Sequence, residues 1–235
     1  MKTITQNLTY ILILFLFLLT SCKGTDLIFK QSYSQKKLQK QWDIVNGTWT
    51  VGNQYMEGKS NSEWAILLCR KNLPDNYTLT FSTLVDPESP LFEVILNLEK
   101  EKYLGVLLNQ LSKNIALEDR SLFSAEQAAK EYTFIKTTGN IGGLPKVNNT
   151  NQHIWLDWKI QRVYNQIFVW INNEAIISFN NSPQILNANG KFGFAINGGG
   201  QIKNVRLYKT SEKEVSLPDH FDERDHIMPF FLFSE

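Results

Sequence analysis

From Trp42 onward, apolar and polar residues alternate over short runs separated by Asn, Gly, Pro and Asp. A repeat of two residues is typical of strands with one buried face, and helical spacing is nearly absent. The clearest run spans residues 92–99 and has a strongly apolar face and a mostly polar one. The apolar face is predicted to carry Phe92, Val94, Leu96 and Leu98, and the polar face Glu93, Ile95, Asn97 and Glu99.

Many further short strands follow from the same pattern, and this number requires two packed sheets. Two-residue turns at Tyr164-Asn165 and Asn173-Glu174 predict an antiparallel meander of three strands. The predicted fold is therefore all-β, a two-sheet antiparallel jelly-roll sandwich in one domain. The further strands are Trp64–Cys69, Tyr77–Val85, Tyr103–Asn109, Ile154–Val163, Gln166–Asn172, Ala175–Phe179, Lys191–Ile196 and Gln201–Tyr208.

The N-terminus carries the pattern of an export signal. Lys2 precedes an apolar run over residues 10–19, which has signal-peptide length and is too short for a confident membrane span. The run ends in Leu19-Thr20-Ser21-Cys22, which resembles the bacterial lipobox, where the cysteine is acylated after cleavage. The alternative is a plain signal peptide with a coincidental cysteine. The resemblance implies a lipid on Cys22 and a lipid-anchored place in the bacterial cell envelope, at the outer membrane or cell surface.

The chain is expected to divide into a signal peptide (1–21), a lipidated tether (22–26), a sandwich domain (27–208) and a C-terminal extension (209–235). Residues 23–41 are polar and lack periodicity, which suits a tether, although residues 27–29 could form a first strand. The extension ends in an apolar run over residues 228–233. That run is expected to dock on the sandwich or bind a partner. One helix is predicted at Ser124–Tyr132, and an exposed loop at 139–153.

Charge and cysteine content narrow the function. The chain has 24 basic and 23 acidic residues, and loss of Lys2 with the signal peptide makes these numbers equal. Such a surface has no bulk field to attract nucleic acid, so no nucleic-acid partner is expected. Once Cys22 is acylated only Cys69 remains, so no internal disulfide can form. Cys69 lies in an apolar run and is predicted to be buried.

The segments Asn46-Gly47-Thr48-Trp49-Thr50-Val51 and Trp155-Leu156-Asp157-Trp158-Lys159-Ile160 resemble segments of the concanavalin A-like lectin/glucanase sandwiches of bacterial lipoproteins. Trp42 and residues 46–51 and 55–59 look like that superfamily's opening strands, and residues 155–160, 168–174, 190–195 and 202–208 look like its closing strands. The chain is most similar to the family called the 3-keto-disaccharide hydrolase domain. The resemblance covers residues 27–208 and implies a carbohydrate ligand.

Laminarinase-type members of the superfamily carry two glutamates flanking an aspartate at alternate positions of one strand. Here Glu93 and Glu99 are the nearest counterparts, and at 3.3 Å per residue they lie about 20 Å apart. Paired carboxyls of glycosidases lie about 5–9.5 Å apart, so this strand alone cannot supply the pair. Asp157, Glu118 or Asp119 could approach from a neighbouring strand. The candidate catalytic residues are therefore Glu93, Glu99 and Asp157.

Other chemistries find little support in the sequence. His220 and His226 lie among acidic residues near the C-terminus, but their order matches no zinc or calcium motif, so no metal is expected. The glycines at 198–200 lie between two strands and predict a turn, so no nucleotide or other cofactor is expected. No Gly-x-Ser-x-Gly motif marks a serine nucleophile.

Sugar recognition requires flat aromatic rings together with amide, hydroxyl and carboxylate groups. On the strand 154–163, Trp155, Asp157 and Lys159 are predicted to share the outward face, while Trp158 faces the core. Trp155 and Asp157 are therefore candidate ligand-binding residues. Asn97 and Tyr103 are further candidates, whereas tryptophans 42, 49 and 170 are expected to be structural.

Three function classes stay open on the sequence alone. The absence of a carboxylate triad and the six tryptophans favour a non-catalytic carbohydrate-binding lipoprotein with a glycan in the concave sheet. The family resemblance favours a glycoside-processing hydrolase that acts in the same cleft. A structural or adhesion lipoprotein is the third class.

Overall fold

A computed structural model of the chain describes residues 26–61, 64–86, 88–89, 91–110, 114–119, 134–138, 155–164, 166–179 and 189–210. Within those ranges lie one helix, α1 (Gln35–Gln41), and fifteen strands. The strands are β1 (Asp26–Lys30), β2 (Trp42–Asn46), β3 (Thr48–Val51), β4 (Met56–Lys59), β5 (Ala65–Asn72), β6 (Tyr77–Val85), β7 (Leu91–Glu99), β8 (Lys102–Asn109), β9 (Asn114–Asp119), β10 (Phe134–Thr138), β11 (Leu156–Val163), β12 (Gln166–Ile171), β13 (Glu174–Phe179), β14 (Lys191–Asn197) and β15 (Gly199–Lys209).

The strands form two antiparallel sheets. The eight-stranded sheet has the order β13-β12-β11-β6-β15-β4-β3, with β1 paired to β15, and the seven-stranded sheet has the order β10-β9-β8-β7-β14-β5-β2. Chain neighbours β14 and β15 lie in different sheets, which is how a sandwich rather than a single meander arises. The predicted all-β, two-sheet sandwich is confirmed.

Aromatic side chains fill the space between the sheets. Phe81 and Trp158 of the eight-stranded sheet stack at 5.5 Å, and Phe81 meets Phe194 of the seven-stranded sheet edge-to-face at 5.0 Å. All three side chains are at most 2% exposed, which confirms the prediction that Trp158 faces the core. Ring contacts of this kind add to the free energy of apolar burial, and they lock the two sheets together.

A bulge at Asn97 changes the predicted faces of β7. The β7–β8 register shifts between Leu96 and Glu99, and Asn97 adopts a left-handed φ of 55°, which asparagine tolerates better than most residues. The Asn97 side chain consequently turns into the core, where its Oδ1 accepts a hydrogen bond of 3.3 Å from the Tyr77 hydroxyl. Leu98 turns outward into a second cluster. The prediction that Leu98 shares the core face and Asn97 the opposite face is therefore wrong.

The polar segment before Trp42 belongs to the sandwich. Residues 26–30 form strand β1, and Ser34 caps helix α1 by accepting a hydrogen bond from the Lys37 amide. Leu38 anchors the helix in the core at 0% exposure. Strand β1 bears out the possible first strand at residues 27–29, whereas helix α1, which docks on the sandwich through Leu38, was not predicted.

The predicted meander β11–β12–β13 is confirmed, with one change in its second turn. The turn residues are Asn172 and Asn173, both with positive φ, rather than Asn173 and Glu174. Two consecutive positive φ values define the tight turn that suits the twist of a hairpin, and asparagine adopts them readily.

Among the described residues, no helix is long and apolar enough to span a membrane. Several predictions lie outside the described residues. These are the signal peptide, Cys22, the helix at Ser124–Tyr132, the loop at 139–153, the three histidines and the apolar run at 228–233.

Candidate functional site

The four predicted ligand-binding residues lie in three different places. Trp155 and Asp157 lie on the outer face of the eight-stranded sheet, where Trp155 is partly exposed and Asp157 is exposed. Asn97 lies in the core beside Tyr77, and Tyr103 lies on the outer face of the seven-stranded sheet at 3% exposure. The structure therefore brings together only the first two.

Asp157 is held in position by its neighbours on the eight-stranded sheet. The Ser82 hydroxyl, opposite it on β6, donates a hydrogen bond of 2.6 Å to Asp157 Oδ1. The Asp157 amide donates to Asn172 Oδ1 at 2.9 Å, and its carbonyl accepts from the Asn172 amide at 2.8 Å. A carboxylate fixed in this way retains lone pairs for a further donor.

Two partly exposed tryptophans flank Asp157, each with a lysine ammonium over its ring. Lys203 Nζ lies 3.7 Å from the centroid of the Trp155 ring, and Lys159 Nζ lies 4.2 Å from that of Trp170. Such exposed cation–π contacts contribute only about 0.5–1 kcal/mol, so a ligand can displace the lysines at small cost. We call Trp155, Asp157, Lys159, Trp170 and Lys203 the tryptophan platform.

A different set of groups meets on the outer face of the seven-stranded sheet. Glu93 is 0% exposed and Glu118 is 4% exposed. Gly105 lies directly opposite Glu118, and a Cβ atom at Gly105 would collide with Glu93 Oε1. The Glu93 carboxylate therefore occupies the space above Gly105, and opposed α-carbons in a sheet are only about 5 Å apart. The Tyr103 hydroxyl donates to Glu93 Oε2 at 3.3 Å. We call Glu93, Tyr103 and Glu118 the acidic cluster.

The acidic cluster is surrounded by apolar side chains. Trp64, Ile95, Leu98 and Leu107 form a second buried cluster with Tyr103 on this sheet. Carboxylates in apolar surroundings are costly unless they are paired or hydrogen-bonded, and such groups concentrate at functional sites.

The structure separates the three predicted catalytic carboxylates. Asp157 and Glu93 lie on the outer faces of opposite sheets, with the whole core between them, and packed sheets are about 10 Å apart. Glu99 is exposed at the end of β7. The expectation that Asp157 could approach Glu93 or Glu99 from a neighbouring strand is therefore wrong, whereas Glu118 does approach Glu93. The Asp119 side chain lies outside the described residues.

A cleft of about 840 Å³ opens at one end of the sandwich. The end of β5, the β5–β6 loop, the end of β15 and Asn189 line it. The Arg70 Nε lies 2.8 Å from Asp43 Oδ1, and Lys191 Nζ shares this carboxylate at 3.1 Å. Lys71 and Lys209 also line the cleft, which we call the cationic cleft.

Behind the cleft, polar groups are buried. Burial raises the pKa of the Tyr77 phenol, although the nearby Arg162 guanidinium opposes this effect. Burial lowers the pKa of the Arg162 guanidinium, whereas Tyr77 and Asp75 act to raise it. Cys69 is 0% exposed, as predicted, and burial raises its thiol pKa to about 12. A thiol in that state is a packing group and a poor nucleophile.

The described residues contain no group of three or more His, Cys, Asp or Glu side chains able to hold a metal ion.

Three features of these sites leave no local signal in the sequence. Trp170 packs against the buried Phe168, in keeping with its expected structural role, but its contact with Lys159 on the outer face was not predicted. The role of Gly105 depends on cross-strand register, which a single sequence does not contain. The cationic cleft assembles residues far apart in the chain, and no local motif marks it.

No sequence model of a known family matches the chain, and no curated protein matches it. Solved structures match in fold. The carbohydrate-binding module CBM66 from Bacillus subtilis is 12% identical, with a TM-score of 0.54 over 72% of this chain and 96% of that one. A Bacillus subtilis protein of unknown function with a galectin-like fold is 10% identical, with a TM-score of 0.63 over 81% and 99% of the chains.

The carbohydrate recognition domain of Emp46p in its potassium-bound form is 12% identical, with a TM-score of 0.52 over 77% of this chain and 94% of that one. At such identities the likeness concerns the fold alone. The chain has the galectin-like, concanavalin A-like β-sandwich fold, and the 3-keto-disaccharide hydrolase family is not among these matches.

Proposed function

We propose that this protein binds a carbohydrate on the tryptophan platform. The observation that carries the proposal is the pair of partly exposed tryptophans flanking a fixed carboxylate on the outer face of a lectin-like sandwich. The apolar face of a sugar ring stacks on an indole, while its hydroxyls need acceptors such as Asp157 and donors such as the lysine ammoniums.

The dimensions of the platform suit an extended glycan. Trp155 and Lys159 are four residues apart in the chain, which corresponds to about 13 Å at the rise per residue of a strand. Trp170 lies opposite Lys159 on the neighbouring strand β12. A ligand that contacts both indoles must therefore span more than one sugar ring.

A glycan array probed with the full-length chain in detergent tests the proposal. A glycan that binds is then titrated while tryptophan fluorescence is recorded. We expect Trp155→Ala to weaken binding about tenfold or more, which corresponds to 1.4 kcal/mol. Trp155→Phe is the matched control, since it retains an aromatic face, and should retain most of the affinity. Equal affinities of all three proteins would refute the platform, and no binding to any glycan would favour the structural or adhesion class.

The lipid anchor is a separate part of the proposal. The lipobox-like sequence ending in Cys22 supports acylation of that cysteine and a position in the bacterial cell envelope. Labelled palmitate fed to expressing bacteria should be incorporated into the chain, and Cys22→Ser should abolish incorporation. Equal labelling of the variant would exclude Cys22 as the acylated residue.

The acidic cluster supports a second candidate function, glycoside hydrolysis, with a keto-glycoside as the substrate that the family resemblance implies. Glu93 and Glu118 face the same side of one sheet on either side of Gly105, as a general acid and its partner must. Burial of both carboxylates argues against a ligand at this position. Product analysis on any glycan that binds decides the matter, because cleavage that Glu118→Gln abolishes would establish the hydrolase.

A further inference from the structure

The cationic cleft departs from the charge balance of the chain as a whole. Among the residues that the structure describes, Arg70, Lys71 and Lys209 line it as cations and Asp75 as the one acidic residue. Positive charges concentrated around a concave surface raise the local concentration of anions. The chain as a whole has a formal net charge of only +1, so three cations around one cavity give that cavity a local preference for a negatively charged ligand.

Two of these cations are available for a ligand. Lys71 and Lys209 are exposed and form no ion pair with another described residue. Arg70 is oriented by Asp43, yet Lys191 shares that carboxylate, so the three groups together retain a positive charge. The Arg70 contact uses Nε, which leaves the terminal nitrogens of the guanidinium for a second partner.

Uncharged groups of the cleft add hydroxyl recognition. Asn72 and Asn189 present exposed side-chain amides at its rim. Asn76 is fixed deeper in the cleft, where its Oδ1 accepts a hydrogen bond of 2.7 Å from the Tyr164 amide. Each amide offers both donors and an acceptor, which suits sugar hydroxyls better than a bare inorganic anion.

The wall and volume of the cleft fit a sugar-sized ligand. The partly exposed Ile28 and Pro74 contribute apolar surface to its lining. Its volume of about 840 Å³ falls within the range of roughly 300–1,000 Å³ of small-molecule sites. A carboxylated sugar matches each feature, since it has one negative charge, several hydroxyls and apolar C–H faces.

We propose that the cationic cleft is a binding site for the carboxylate-bearing sugar of an acidic saccharide, a uronic acid. Lys71, Lys209 and the Arg70 guanidinium hold the carboxylate, and the asparagine amides contact the hydroxyls. This site is separate from the tryptophan platform and does not depend on it. Charge-assisted hydrogen bonds are the strong contribution, so binding weakens as salt rises.

Calorimetric titration of the full-length chain with a glucuronic acid disaccharide, and with its uncharged glucose counterpart, tests the site. We expect the acidic disaccharide to bind at least tenfold more tightly, and the double variant Lys71→Gln/Lys209→Gln to lose at least tenfold in affinity for it. Lys36→Gln, an exposed lysine on α1 away from the cleft, is the matched control and should bind like the wild type.

The other outcomes each overturn the assignment. Equal affinity for the acidic and neutral disaccharides would show that the cations do not select the ligand. No binding of the acidic disaccharide, or unchanged binding by the double variant, would remove the cleft as its site. Inorganic phosphate that binds as tightly as the disaccharide would show a general anion site without sugar recognition. Trp155→Ala separates the two sites, because it should leave the affinity of the cleft unchanged.

Discussion

Gly105 is the position where a single methyl group most directly tests the geometry of the acidic cluster. In Gly105→Ala the new Cβ would overlap Glu93 Oε1 and lie 3.1 Å from Glu93 Cδ. Glu93 is fully buried, so its carboxylate cannot swing into solvent to make room. It must instead shift within a packed cluster and give up its contact with the Tyr103 hydroxyl.

The expected cost follows from these contacts. Overpacking of a buried site costs about 1–3 kcal/mol, and loss of a buried hydrogen bond about 0.5–1.5 kcal/mol. Replacement of a strand glycine by alanine returns about 0.5–1 kcal/mol in backbone entropy. We therefore expect Gly105→Ala to lower the free energy of unfolding by about 1–4 kcal/mol.

A double-mutant cycle with Glu93→Ala isolates the contact. With the carboxylate gone, Gly105→Ala should cost less than about 1 kcal/mol, so the cycle should give a coupling energy above about 1 kcal/mol. Urea denaturation followed by tryptophan fluorescence measures all four proteins. Additive costs would refute the placement of the Glu93 carboxylate above Gly105, and with it the proximity of Glu93 to Glu118.

Three further predictions concern stability. Asn97→Ala should lower the free energy of unfolding, measured by urea denaturation, by about 2–4 kcal/mol, because alanine is disfavoured at a φ of 55° and the buried Tyr77 hydroxyl loses its acceptor. Asn97→Gly should be less destabilising. A more destabilising glycine would contradict the bulge at Asn97. Thr83→Val should lower the free energy of unfolding by about 1–3 kcal/mol, since it removes the hydroxyl that accepts a 2.8 Å hydrogen bond from the buried Trp158 Nε1. The control Thr80→Val, at a partly exposed position, should lower it by less than about 0.5 kcal/mol. Burial raises the pKa of the Cys69 thiol to about 12, whereas the thiol of the unfolded chain ionises near pH 9. The free energy of unfolding should therefore fall between pH 9 and 12, by up to about 1.36 kcal/mol per pH unit. Cys69→Ala should flatten this slope in urea denaturation, and an unchanged slope would contradict the burial of Cys69.

The architecture could be predicted from the sequence because period-two alternation reports burial directly. The run at 156–160 shows this most clearly, since its apolar members are buried and its polar members exposed. The alternation failed at Asn97, where a bulge changes the face of the residues that follow, and bulges leave only a weak trace in a single sequence. It also failed at residues 35–41, where the single buried Leu38 gives no periodic signal.

The candidate sites were less accessible to sequence reasoning, for a related reason. Parity along the chain placed Trp155 and Asp157 on an outer face, because Asp157 belongs to β11 and Trp155 directly precedes that strand. Relations between strands depend on register and on sheet membership, which decide that Asp157 and Glu93 lie on opposite sides of the molecule. The approach of Glu118 to Glu93 likewise follows from the pairing of Gly105 with Glu118, which no local pattern encodes.

The most direct test of the proposed function is the affinity of the full-length chain and its Trp155→Ala variant for a glycan selected on an array. The account predicts binding without cleavage by the wild type, a change in tryptophan fluorescence, and at least tenfold weaker binding by the variant. Unchanged affinity of the variant, or cleavage of the bound glycan, would contradict it.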